Sequence, residues 1–400
     1  MVRERAQLQA MPLEEARHLF FEALQRQDFF DSKEEEISTR ESFGRVTSRT
    51  VVAKRNVPHF RSAAMDGIAV RAAETIHASE TNPVQLKLER DFVFIDTGDL
   101  IPDKFDAVIM IEKIRLLDET SVEITKEALV GKHIRIVGED FSEEETLLDA
   151  GRNINAEAIA ALLCSGNTSI WVTHQPRCIF IPTGSELVRP ESALKLGELP
   201  ETNSILFHHH VKNWGGCPSV HPIVKDNCSD LRAVLSDAID KYDLIAIGSG
   251  TSKGRDDWTA DLVGALGQVL VHGVAYHPGH PVLLGIAENK PIIGMPGYPV
   301  AAWVCLMQFI KPLLERYYGL RPKTHQRVKG VLVHEIRSML GYREFVRVRL
   351  EAGAGTLQVY PLPGGASRLS SLLHADGWIE VPEEVEILSK KTSVSVNLMD

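Results

Sequence analysis

Apolar residues return every three or four positions at Leu13, Ala16, Leu19, Phe20, Ala23 and Leu24, which predicts a helix over residues 12–27. Ser38-Thr39-Arg40-Glu41 has the spacing of a capping box and predicts a second helix start. From about residue 50 to 140 the period shortens to two. The runs VQLKLERDFVFI, DAVIMIEKI, SVEITKEA and KHIRIVG alternate between turn residues, as in a small β-rich domain. Helical spacing resumes in NAEAIAALLCSG, with Asn155 as N-cap and Gly166 as stop. The β-rich stretch therefore reads as an insertion between helical pieces of an elongated N-terminal domain, and residues 1–174 are assigned to that domain and its linker.

Over residues 175–322 the pattern alternates strand and helix. RCIFIP, PSVHPIV, YDLIAIG and KPIIGM are short apolar strands. ILFHHHVKNWG, DLRAVLSDAIDK, DWTADLVGALG and PVAAWVCLMQFIKPLLERYYG are helices. The expected fold is a doubly wound α/β domain with a mostly parallel sheet. Residues 323–400 alternate at period two again and predict a small C-terminal β-barrel. In FVRVRL, Val346, Val348 and Leu350 fall on one face, Arg347 and Arg349 on the other.

Composition narrows the class. Four hundred residues imply roughly two to four domains. With 44 basic and 54 acidic residues the net charge is −10, which argues against a nucleic-acid coat or a basic membrane-surface protein. No apolar run reaches the ~18 residues of a membrane span. The N-terminus lacks an apolar signal core, and the five scattered cysteines read as reduced thiols of a cytoplasmic protein.

Ligands of open parallel sheets bind beyond the carboxyl ends of the strands. Three strands here end in unusual loops: Thr183-Gly184-Ser185-Glu186-Leu187, the stretch from Gly248 to Asp257, and Met295-Pro296-Gly297-Tyr298-Pro299. The middle loop, with Gly248, Gly250 and Gly254, is neither a Walker loop nor a dinucleotide fingerprint. It is an anion-binding loop before a helix N-terminus, or a structural turn. Glu186 and Asp257 are two carboxylates suited to a divalent cation against phosphate, helix capping being the other reading of Asp257.

Seven segments together resemble the molybdopterin molybdenumtransferase family, the bacterial MoeA protein and the gephyrin E domain. They are RSAAMDGIAV (61–70), DTGDLIP (96–102), VGED (137–140), TGSEL (183–187), the 248–257 loop, HPGHP (277–281) and MPGYPV (295–300). They stand in the family's order and cover nearly the whole chain. The resemblance implies a reaction: adenylylated molybdopterin and molybdate (or tungstate) give molybdenum cofactor and AMP, with Mg2+ at the phosphoanhydride. It implies catalytic roles for Asp257, Glu186, Asp66 and Asp140, with Glu186 and Asp257 as metal ligands. Substrate contacts are implied for Thr97, Thr183, Gly184, Asp226, Gly248, Gly250, Ser252, Gly254, Gly279, Pro296, Gly297, Pro299, Arg347 and Ser371. A homodimer with cross-subunit sites is implied as well, and a molybdopterin adenylyltransferase is the partner to look for, fused or bound.

The departures are as informative. His277 and His280 stand where the family has two lysines for the oxyanion, Tyr298 replaces an Asn, Ser185 an Asp and Asn227 an acid. An unperturbed histidine is mostly neutral at neutral pH, so binding of a dianion should depend on pH. The competing reading of the lost lysines is a non-catalytic paralogue or scaffold that holds molybdopterin or the oxyanion. His208-His209-His210 fans out on a helix and reads as a partly exposed face, the five tryptophans as packing anchors, and Glu143-Glu144-Glu145 as a solvated turn.

Overall fold

The computed structural model describes residues 10–248, 258–320, 326–353 and 355–399. The chain divides into two compact units, one of residues 34–172 and the other of residues 1–33 with 173–400.

In the first unit the period-two runs form two three-stranded antiparallel sheets. Gly67–Val70 lies between Phe92–Ile95 and Ala107–Met110. Ser121–Ile124 lies between Val84–Lys87 and Ile114–Asp118. Ile68, Val70 and Phe92 from one sheet share a core with Leu86, Val122 and Ile124 from the other. The helix Ala156–Cys164 starts where Asn155 Oδ1 accepts the Ala158 N–H at 2.9 Å, as its N-cap position predicts. The helix expected after Ser38 is a single 3-10 turn, Thr39–Glu41, with no side-chain cap. Tertiary partners override the local signal there. Glu34–Ser38 is a strand paired with Ser169–Thr173, and the Thr39 hydroxyl donates to the Asn167 carbonyl at 2.8 Å.

The second unit is built on a six-stranded sheet. Four neighbours are parallel, in the order Cys217–Val220, Arg177–Pro182, Leu244–Gly248 and Lys290–Met295. Leu283–Ala287 and Gln268–His272 then continue it antiparallel, two strands that the sequence reading left out. Side chains along the central strands alternate between two cores. Cys178, Phe180, Leu244 and Ala246 face one; Ile179, Ile181, Ile245 and Ile247 face the other. Both faces are buried, which is why these strands read as unbroken apolar runs. The helices Cys228–Lys241 and Thr259–Leu266 pack on the second face.

The first face takes Asn203–Asn213, the long C-terminal helix of the domain, and Leu13–Gln25. That last helix, which sequence assigned to the N-terminal region, packs Leu13, Phe20 and Leu24 into the α/β core instead. The long helix runs Pro299–Cys305, widens into one π turn over Leu306–Ile310, and resumes as Lys311–Tyr317.

Residues from 327 on close a five-stranded barrel. Arg343–Ala352 pairs with both Leu357–Pro361 and Gly377–Val381, so the ring has no open edge there. The α/β domain lends it a further short strand, Tyr276–His277, parallel to Arg343–Glu344. Phe345 and Trp378 from the barrel enter the α/β core, Trp378 edge-on to Trp303 at 5.4 Å.

Candidate active site

Three adjacent parallel strands end side by side at Pro182, Gly248 and Met295, and the barrel stands against their ends. Between them lies a cleft of about 1050 Å³, at the upper end of the size of small-molecule sites. It is the place at which such a sheet binds ligands.

At the sheet end, the first loop is tied to its neighbours by hydrogen bonds. Thr183 donates its N–H (2.9 Å) and hydroxyl (2.8 Å) to the Gly248 carbonyl, fixing the strand end from which the glycine loop departs. Gly184 has φ +148, and a Cβ there would sit 2.9 Å from the Glu186 carboxylate oxygens. The positive φ is what favours glycine at this position, next to the Glu186 carboxylate. Ser185 and Asp226 bond reciprocally. The Ser185 N–H donates to Asp226 Oδ2 at 2.8 Å, and the Asp226 N–H to Ser185 Oγ at 3.1 Å. Asp226, expected to contact substrate, is not among the residues lining the cleft; its carboxylate holds the 183–187 loop.

At the barrel end, the bridge between Tyr276–His277 and Arg343–Glu344 sets the groups. His277 and Glu344 are register partners, and both line the cleft. His277 is half-buried, and burial holds its pKa below the ordinary value. Its ring lies 4.8 Å from Tyr342 and 5.7 Å from His280. Gly279, φ +117, allows the turn between the two histidines to close over the Tyr276 ring, which a Cβ would meet at 3.0 Å. Glu344 is also half-buried, and burial raises its pKa, opposed by the Ser338 hydroxyl and the Arg347 charge. Arg347 is only 3% exposed. Enclosing a guanidinium costs on the order of several kcal/mol unless it is hydrogen-bonded. Here Nε donates to Ser371 Oγ at 3.2 Å and one terminal nitrogen to the Phe345 carbonyl at 2.6 Å, while burial still pushes its pKa down. The pairing of Arg347 with Ser371 puts together two residues that sequence had matched separately.

The loop Pro296-Gly297-Tyr298-Pro299, which follows the strand end at Met295, also lines the cleft. Asn203, at the start of its helix, donates from Nδ2 to the Gly297 carbonyl at 2.8 Å. Glu201 accepts the Ser204 N–H at 3.0 Å and so holds the start of that helix. Glu201, Asn203 and Glu344 were not singled out from sequence. A carboxylate three residues before Ser204 at a helix start was the one signal available for Glu201.

The remaining predicted residues lie in the 34–172 unit. Asp66 Oδ1 accepts both the N–H (2.6 Å) and the hydroxyl (2.7 Å) of Thr97, which lowers its pKa, the hydroxyl bond being the larger cause. The 61–70 segment is tied to the 96–102 motif and to the loop at His133. Gly98 N–H donates to the Ala63 carbonyl (2.8 Å), and Ala64 N–H to that of His133 (2.9 Å). Asp140 N–H donates to the Val57 carbonyl at 2.9 Å. Asp66, Thr97 and Asp140 are all exposed.

Gly250, Ser252, Gly254 and Asp257 lie outside the described residues. Glu186 supplies hard carboxylate oxygens beside the strand ends, a donor that suits Mg2+. Among the described residues no group of three or more His, Cys, Asp or Glu gathers to hold a metal, His208-His209-His210 included; His210 stacks on Trp214 at 5.1 Å. No helix among them is long and apolar enough to cross a membrane.

Comparison with known proteins agrees with the cleft. Residues 179–316 match the family model described as "Probable molybdopterin binding domain", so fold and cleft together define a molybdopterin-binding class of α/β protein. Residues 11–166 match "MoeA N-terminal region (domain I and II)", and residues 329–399 match "MoeA C-terminal region (domain IV)". The chain belongs to the MoeA family. It is 33% identical to a putative molybdopterin biosynthesis protein of Methanocaldococcus jannaschii, covering 97% of this chain and 98% of that one. It is 31% identical to molybdopterin molybdenumtransferase 2 of Mycobacterium tuberculosis, over 88% and 92%. A molybdopterin biosynthesis MoeA protein from Pyrococcus horikoshii superposes with TM-score 0.79 at 29% identity, over 98% of this chain and 99% of that one.

Proposed function

We propose that this protein is a molybdopterin molybdenumtransferase that converts adenylylated molybdopterin and molybdate into molybdenum cofactor and AMP. The observation that carries the reading is the two-ended cleft. One wall has a buried arginine and a histidine pair for an oxyanion, and the other has strand-end loops and Glu186 for a phosphate.

Arg347 keeps its charge at all working pH values, and Ser371 and the Phe345 carbonyl fix its direction, so it binds and orients the oxyanion. Burial holds the His277 pKa below its ordinary value, which favours the neutral ring before a ligand binds. A dianion seated beside it favours the imidazolium, so binding draws in a proton. Thr183, Glu186 and the glycine loop hold the phosphate end, and Tyr298 and its flanking prolines line the cleft beside them. Mg2+ held by Glu186 and Asp257 would neutralise charge on the phosphoanhydride and make AMP a better leaving group. Asp66, Thr97 and Asp140 complete the cleft of a second copy, which makes the working form a homodimer.

The test is turnover. The purified protein is incubated with adenylylated molybdopterin, Mg2+ and either molybdate or tungstate, and AMP is measured. Oxyanion-dependent AMP release is expected; its absence with both oxyanions overturns the reading.

A further inference from the structure

We propose that Tyr298 is a specificity-determining residue of the cleft, its ring forming an exposed stacking face, on a restrained loop, for a planar nitrogen heterocycle that carries a phosphate. The inference rests on the reading above that the cleft takes a nucleotide-linked pterin, and it names the part of the protein that grips the flat end of that ligand.

Three observations carry it. First, Tyr298 lines the cleft yet is 60% exposed. Single exposed apolar side chains are ordinary on a protein surface, but this one stands within a concave site that Gly248 and barrel residues such as Ala366 and Leu369 also line. Second, its backbone is held at three points. The Gly297 carbonyl accepts from buried Asn203 (2.8 Å), the Tyr298 carbonyl accepts from the Ala302 N–H (2.8 Å), and the Val300 N–H donates to the Ala366 carbonyl (3.0 Å). Pro296 and Pro299 restrict the loop on either side. A tyrosine has only two side-chain torsions, so little freedom is left to lose on binding. Third, the ring is unclaimed. His277, His280 and Tyr342 pack on one another in the same cleft, whereas Tyr298 has no ring or cation stacked on it among the described residues.

Adenine and pterin share the required chemistry, a flat π-face next to a phosphate, and the experiment has an arm for each. AMP and a pterin phosphate are titrated separately by calorimetry into wild type, Tyr298→Phe, Tyr298→Asn and Tyr298→Ala, with circular dichroism and sedimentation run on each protein. Tyr298→Phe should bind within about threefold of wild type. Asn and Ala should weaken one of the two ligands by roughly 10- to 100-fold, the range expected for loss of a base–aromatic stack. The ligand that suffers is the one that stacks, and its ring protons should lose their upfield NMR shift in the Ala variant. The proposal is overturned if wild type binds neither probe, if Asn and Ala bind both as wild type does, or if they alter only subunit association. The two readings fail separately. A wild type that stacks a probe but releases no AMP removes the reaction and keeps the platform, whereas normal turnover and binding by every variant removes the platform and keeps the reaction.

Discussion

The chain keeps its two sets of candidate site residues in opposite conditions. In the 34–172 unit, Asp66, Thr97 and Asp140 are exposed, and the Thr97 bonds hold Asp66 in its charged form. In the cleft, Arg347 is buried and His277 and Glu344 are half-buried, with burial pressing each toward its neutral form. Water screens the first set strongly and the second weakly, so charge in the cleft acts at full strength on a ligand while charge on the exposed loops does not. The exposed Asp66, already held in its charged form by Thr97, gains strength only when something excludes water from it. That asymmetry supports the proposal that a second copy supplies the missing wall.

The largest expected effect tests the cleft. Asp257→Asn should lower AMP release by roughly three orders of magnitude while the nucleotide still binds, since losing a charged metal ligand removes several kcal/mol of transition-state stabilisation. Equal turnover by wild type and variant would remove Asp257 from the chemistry. Next comes the link between the regions. Equal amounts of inactive Asp66→Ala and Asp257→Asn proteins, after subunit exchange, should regain roughly a quarter of wild-type activity. About half of the dimers are then mixed, each with one of two sites intact. No recovery after exchange is verified by mass spectrometry means that each site lies within one chain.

Smaller still is the pH effect in the cleft. Because burial lowers the His277 pKa, the neutral ring is favoured before a ligand binds, and an oxyanion bound beside it raises that pKa. Binding is then strongest below the free-state pKa and weakens as pH rises through the bound-state value. Oxyanion affinity should therefore drop by up to about tenfold per pH unit for each proton taken up between pH 6.5 and 8. The double variant His277→Lys, His280→Lys should flatten this profile in calorimetric titrations, and a flat wild-type profile would show that the histidines are not cationic ligands. The smallest effect lies on the exposed side. Thr97→Val removes the hydroxyl bond but not the N–H bond, so the Asp66 pKa, read by carboxyl-carbon NMR, should rise part of the way to its ordinary value. Asp66 stabilises the fold above its unfolded pKa, and this contribution is lost as pH falls through the depressed folded value. An unchanged Asp66 titration would mean that the hydroxyl does not act on it.

The fold was legible where one physical signal dominated. Doubly buried strands, alternating barrel strands and the Asn155 cap were all readable, because burial on both faces, burial on one face and a helix N-terminus each leave a distinct local pattern. The Ser38 box misled because its hydroxyl neighbour Thr39 serves the Asn167 carbonyl 128 positions away, which no local window contains. Leu283–Ala287 was missed because LLGIA, cut by a glycine, is too short to separate from a loop. At the site, the motif residues were legible as types, but Asp226 turned out to hold a loop and Glu344 to face the cleft. Both depend on which neighbour the sheet register delivers, as in the pairing of His277 with Glu344.

The π turn in the long helix has a consequence for how related chains are aligned. Such a turn is an α-helix with one residue inserted, and the flanking segments keep their places around it. Here it sits just before Pro312, which has no N–H to offer the Gln308 carbonyl and whose ring would collide with it in a regular helix. A relative without a proline at that point can drop one residue between Leu306 and Ile310 and still hold Pro299 at the cleft lip and Tyr317 in the core. A one-residue gap there marks a change of thread count rather than of shape, and numbering downstream of it should be carried over by superposed position.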